Sequence, residues 1–132
     1  MGMCADTFFS GIEHVAIASK DPKALAKWYC DTLGFRIVYE SRDSPTTFVE
    51  LGDGMIEIIE AAKVDRAPAG EKDAGLRHIA ISVTDIHQAY EHLKSKKVSF
   101  KAEPSEKKEV WTVFFEDPEN NLIHLIQRPK PL

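Results

Sequence analysis

The stretch His14-Val-Ala-Ile-Ala18 returns 64 residues later as His78-Ile-Ala-Ile-Ser82. Three of the five positions are identical, and the other two exchange similar side chains. At the same spacing Asp21 falls on Asp85, where each short β-rich run should give way to a helix. After small length changes the match resumes. Phe48-Val-Glu50 lies over Phe114-Phe-Glu116, and Gly54-Met-Ile-Glu57-Ile-Ile-Glu60 lies over Asn121-Leu-Ile-His124-Leu-Ile-Gln127. Four matches in one order describe an internal duplication, and a duplication governs how every other feature is read.

Working outward, residues 13–18 and 77–83 read as strands. Asp21 is a helix N-cap with Pro22 in the first turn, where a missing N–H costs nothing. Leu25, Trp28, Tyr29 and Leu33 follow at helical spacing, and Gly34 supplies the stop. Asp85 caps a second helix whose apolar stripe is Ile86, Ala89, Tyr90 and Leu93. Residues 35–40, 46–51 and 55–60 read as three strands, with Gly52-Asp53-Gly54 the clearest turn. Residues 98–102, 110–116 and 122–127 repeat the trio, and Asp117-Pro118-Glu119-Asn120-Asn121 makes the last turn. The predicted fold is α+β, with two tandem βαβββ modules, about 11–62 and about 75–128, in a single domain over 1–132. Residues 61–75 join them.

Bulk composition narrows the function. A chain of 132 residues with 43% hydrophobic and 29% charged residues is long enough to bury a core. A formal charge of −4 disfavours nucleic-acid binding, which needs a basic surface. No apolar run is long enough to span a membrane, and residues 1–11 lack the features of a secretory signal. Cys4 and Cys30 form no CxxC pair, and a reduced, cytoplasmic protein is expected.

Side chains alternate along a strand, so the duplication also assigns faces. His14 shares its face with Ala16 and Ala18, and His78 shares its face with Ala80 and Ser82. Small neighbours leave room in a concave sheet. Glu57 stands between Met55 and Ile59, and His124 between Leu122 and Ile126. An imidazole or carboxylate among apolar neighbours is costly to bury without a partner. One divalent cation held by His14, Glu57, His78 and His124 removes that cost for all four. Imidazole and carboxylate suit zinc, nickel, iron, manganese or cobalt, and the absence of thiolate disfavours a purely structural zinc site. A lone histidine on an apolar strand is ordinarily a hydrogen-bonded core residue; equivalence under the duplication is what singles these out. Glu50 and Glu60 read as solvated, His87 and His92 as surface residues, and Trp111, Phe114 and Phe115 as core packing.

These motifs resemble the vicinal oxygen chelate superfamily, which includes glyoxalase I, fosfomycin-resistance proteins, methylmalonyl-CoA epimerase, extradiol dioxygenases and bleomycin-resistance proteins. The marks are Ile12-Glu-His14-Val-Ala-Ile, Trp28-Tyr29 through Leu33-Gly34-Phe35, Gly54-Met-Ile-Glu57-Ile, Leu76-Arg-His78-Ile-Ala-Ile-Ser-Val-Thr-Asp85, and Phe115-Glu-Asp117-Pro118 leading into Leu122-Ile-His124-Leu-Ile. They cover roughly residues 11–128. The resemblance implies a metal-binding cup, a small-molecule substrate and a homodimer. His14, Glu57 and His78 match three ligand positions of bacterial glyoxalase I. The fourth is usually Glu there and is His124 here, so the proton-moving role falls to Glu57 or His124. The implied activity is a metal-dependent lyase or isomerase of glyoxalase I type. The alternatives are an Fe(II) extradiol-type dioxygenase and a non-catalytic, small-molecule-binding resistance protein. Arg36, Arg77 and Lys101 are candidate cations for an anionic substrate such as a glutathione adduct. Asn120-Asn121 replaces a commoner glycine-containing turn, with an asparagine in the left-handed region.

Overall fold

The computed structural model describes residues 8–65, 67 and 69–132. Cys4 lies outside them, as do Arg66 and Pro68 of the connecting segment. The chain divides into two compact units between Ala62 and Lys63.

The first unit runs β1 (His14–Ser19), α1 (Pro22–Leu33), β2 (Arg36–Glu40), β3 (Thr47–Leu51) and β4 (Gly54–Glu60). Its sheet has the order β1-β4-β3-β2, with β1 parallel to β4 and the other pairs antiparallel. Asp21 Oδ1 accepts the Ala24 N–H at 3.2 Å, so one orphan donor at the start of α1 is satisfied. Gly34 ends α1 at φ 80°, and its N–H reaches the Cys30 carbonyl at 3.2 Å. Only a residue without Cβ adopts that left-handed φ at no cost. Leu25, Ala26 and Tyr29 of α1 are buried, as are Ile17, Val49, Ile56 and Ile58 of the sheet. Truncating a fully buried residue such as Ile58 to Ala costs about 2–5 kcal/mol.

The second unit repeats the plan: β5 (His78–Ser82), α2 (Ile86–Ser95), β6 (Ser105–Lys107), β7 (Val110–Glu116) and β8 (Leu122–Gln127). Its sheet order is β5-β8-β7-β6. Asp85 Oδ1 accepts the Gln88 N–H at 3.0 Å. The Ile86 N–H donates to Gln127 Oε1 at 2.7 Å, which ties the start of α2 to β8. Ile86 and Leu93 on the helix and Val113, Phe115, Ile123 and Leu125 on the sheet make the core.

Two elements differ from expectation. The strand predicted at 98–102 is reduced to one bridge, Phe100 to Phe115, and the pairing strand is Ser105–Lys107. Lys107 pairs with Val110 across a two-residue turn, Lys108-Glu109, with φ 52° and 68°. Positive φ at both central residues is the tight hairpin geometry that matches strand twist, so the strand must abut the turn. In β2 the pairing jumps from Ile37–Val49 to Tyr39–Phe48, leaving Val38 as the extra residue of a bulge.

Candidate functional site

The helix-free face of each sheet carries the residues singled out by the duplication. In the first unit Ala16 is opposite Glu57, and Glu57 is opposite Phe48. In the second unit Ala80 is opposite His124, and His124 is opposite Phe114. Each acidic or imidazole side chain thus has a methyl group on one flank and a phenyl ring on the other. The duplication holds at the level of strand register, not only of sequence.

In the first unit the His14 Nε2 and Glu57 Oε1 atoms stand 3.4 Å apart, and both side chains are only partly exposed. The other ring nitrogen, Nδ1, donates to Glu13 Oε1 at 2.8 Å. A neutral ring donating from Nδ1 points the Nε2 lone pair at a carboxylate oxygen. Two acceptors then face each other, an arrangement relieved by a second proton or by a cation between them. The Phe48 ring meets His14 edge-on, with centroids 5.3 Å apart. The bulge at Val38 brings Tyr39 opposite Phe48, their ring centroids 6.0 Å apart. Without it Val38 would hold that place. Arg36 pairs with Glu50 at 2.5 Å, so this glutamate is ion-paired rather than simply solvated.

In the second unit the His78 and His124 rings lie 4.4 Å apart, tilted at 38°. Phe114 stands edge-on to both, at 5.6 Å from His78 and 4.5 Å from His124. His124 is buried, and its Nδ1 has no hydrogen-bond partner. An orphaned buried nitrogen of this kind is rare and costly. Burial holds the His124 imidazole below the usual histidine range, with the nearby His78 and Arg128 pushing in the same direction. Its neutral form is the one that donates a lone pair to a metal.

The structure therefore brings His14 to Glu57 and His78 to His124. Among the described residues no group of three or more His, Cys, Asp or Glu side chains is gathered to hold an ion. The donor chemistry of both pairs fits a divalent metal: imidazole and carboxylate oxygen, no thiolate, one orphaned nitrogen and an imidazole nitrogen 3.4 Å from a carboxylate oxygen. Of the predicted packing aromatics, Phe115 is core, whereas Phe114 stands against the histidines and Trp111 meets the exposed His87 ring at 4.7 Å. Glu13, Phe48 and Tyr39 had no role in the sequence reading. Phe48 was within reach of it, because the duplication sets it over Phe114.

A family model described as the Glyoxalase/Bleomycin resistance protein/Dioxygenase superfamily matches residues 11–125. The uncharacterized protein YaeR of Escherichia coli (strain K12) is 34% identical over 125 residues, covering 89% of this chain and 95% of YaeR. A probable lactoylglutathione lyase from Synechocystis sp. is 31% identical over 124 residues, covering 86% of this chain and 92% of that protein. Among solved structures, a glyoxalase family protein from Enterococcus faecalis superposes with a TM-score of 0.75 at 26% identity, covering 91% of this chain and 99% of that one. Its likeness extends to the whole α+β arrangement of two four-stranded sheets and two helices.

Proposed function

This chain belongs to the glyoxalase/bleomycin resistance protein/dioxygenase superfamily, and we propose that it is a divalent-metal-dependent lyase or isomerase of the glyoxalase I type acting on a small oxygenated substrate. The observation that carries the proposal is the approach of His14 Nε2 to Glu57 Oε1 at 3.4 Å, on the same sheet face as two aromatic rings. In this reading His14, Glu57, His78 and His124 hold one ion of zinc, nickel, iron, manganese or cobalt. The set is completed within one chain or between two copies of a homodimer. The protein works in the cytoplasm as a single domain of two modules, about 11–62 and 75–128.

The bound ion supplies Lewis acidity toward a substrate oxygen. The chain supplies the rest. Glu57 is the base that takes a proton from the carbon beside that oxygen and returns it to the adjacent carbon, so the net change is an isomerisation. A carboxylate suits this role because its second oxygen keeps free lone pairs, whereas a ligating imidazole has its lone pair committed. His124, held neutral by burial, shares the proton transfer only when it is off the ion. Phe48 and Phe114 keep water from the reacting carbons. The likeness to a probable lactoylglutathione lyase points to a hemithioacetal as the first substrate to try.

The test is turnover of the methylglyoxal–glutathione hemithioacetal by protein reconstituted separately with nickel, zinc, cobalt and manganese. Turnover with at least one metal is expected, and Glu57→Gln should lower kcat by about 100-fold or more. No turnover with any of the four metals, nor with ferrous iron, would refute this activity. Oxygen uptake with a catechol on ferrous iron would replace it with ring-cleaving chemistry.

A further inference from the structure

We infer that Glu13 is a positioning residue for His14: its carboxylate locks the imidazole in the Nδ1–H form and turns the Nε2 lone pair toward Glu57. The inference rests on the metal reading above only for what the lock serves, and not for its existence. Four observations carry it. The Glu13 Oε1 to His14 Nδ1 distance is 2.8 Å, a full charge-assisted hydrogen bond. The opposite nitrogen of the same ring faces Glu57. The Glu13 side chain is 74% exposed and precedes β1, so it has no place in the core. The duplication does not repeat this carboxylate, because the residue equivalent to Glu13, 64 positions on, is Arg77.

The consequence follows from imidazole chemistry. An unassisted neutral imidazole in water carries its proton mainly on Nε2, which would spend the nitrogen that faces Glu57 on an N–H. A carboxylate at Nδ1 reverses the preference. Among the described residues His78 has no carboxylate within ion-pair distance, and His124 Nδ1 has no partner at all. His14 is therefore the one imidazole of the proposed set with a carboxylate behind it. Glu13 also adds the second negative charge that offsets a divalent ion held by Glu57 alone.

Three measurements on the full chain test this. Imidazole nitrogen NMR on metal-free protein should show His14 protonated at Nδ1. Glu13→Ala should move that proton to Nε2, and Glu13→Gln, whose amide oxygen still accepts, should largely keep it in place. An unchanged His14 tautomer in Glu13→Ala, or a wild-type ring protonated at Nε2, would overturn the inference. Zinc affinity, measured against a chromophoric chelator, should fall about 10–100-fold in Glu13→Ala and less in Glu13→Gln. The melting temperature of the metal-free protein should stay level across the series, since an exposed substitution changes stability little. Equal zinc affinity in wild type and Glu13→Ala, or a loss that tracks melting temperature, would overturn the positioning role. If wild type takes up no zinc, nickel, iron, cobalt or manganese while the tautomer still responds to Glu13→Ala, the metal reading fails and the lock stands.

Discussion

Replacing Asp117 with Ala should destabilise the second unit more than any other exchange of a polar residue in its turns. Asp117 is almost fully buried. Its Oδ1 accepts the backbone N–H groups of Glu119 at 2.8 Å and Asn121 at 3.0 Å, and its Oδ2 accepts from Asn121 Nδ2 at 2.9 Å. Together with the Asn120 N–H to Asp117 carbonyl bond at 3.0 Å, these close the turn that launches β8, the strand of His124. Alanine would strand two backbone donors in a half-buried turn. Each orphan costs about 1–3 kcal/mol, and partial access to water keeps the sum near 2–4 kcal/mol. An unfolding entropy of about 2.1 cal/mol/K per residue gives about 0.28 kcal/mol/K for 132 residues. The loss is then about 7–14 °C in melting temperature. Asp117→Asn keeps one oxygen for both backbone donors, so its loss should be about 1 kcal/mol, or about 4 °C. Thermal denaturation followed by circular dichroism reads both. Asp117→Ala within 2 °C of wild type (about 0.6 kcal/mol on the same scale), or indistinguishable from Asp117→Asn, would refute the reasoning.

Two further outcomes follow from local geometry. Asp21→Ala and Asp85→Ala each remove one N-cap acceptor and should cost about 1 kcal/mol apiece by urea denaturation, whereas serine at either position should recover most of it. In a Cys4→Ser background, Cys30 should react sluggishly with a disulfide reagent at neutral pH. Burial foremost, and then Asp31, push its thiol above the ordinary range, so the thiolate fraction is small there. The rate should climb about tenfold per pH unit through the ordinary thiol range; a rate level between pH 7 and pH 9 (a window about the unperturbed cysteine value) would contradict it.

Much of this molecule can be read from a duplicated pentapeptide. His14-Val-Ala-Ile-Ala18 and His78-Ile-Ala-Ile-Ser82 are edge strands, each parallel to the last strand of its unit and in equivalent register. The helices start at the two aspartates and the first ends at Gly34, because capping is local chemistry between neighbours in the chain. What escaped the sequence depends on backbone conformations that its side chains do not announce. The turn at Lys108-Glu109 holds two ordinary residues at positive φ, where glycine or asparagine would have signalled a hairpin. The bulge at Val38 contains neither Gly nor Pro, yet it decides that Tyr39, not Val38, stands opposite Phe48. The Glu13 contact was invisible for a different reason. Residues adjacent in sequence ordinarily point to opposite faces of a strand, and Glu13 escapes that rule because it lies just before β1 begins.

The proposed activity depends on His14, Glu57, His78 and His124 sharing one divalent ion. Protein purified without chelators should carry one metal equivalent per site by elemental mass spectrometry. Glu57→Ala and His124→Ala, one from each unit, should each lose most of it at matched concentration while remaining folded. A full equivalent retained in both variants would contradict the four-residue site.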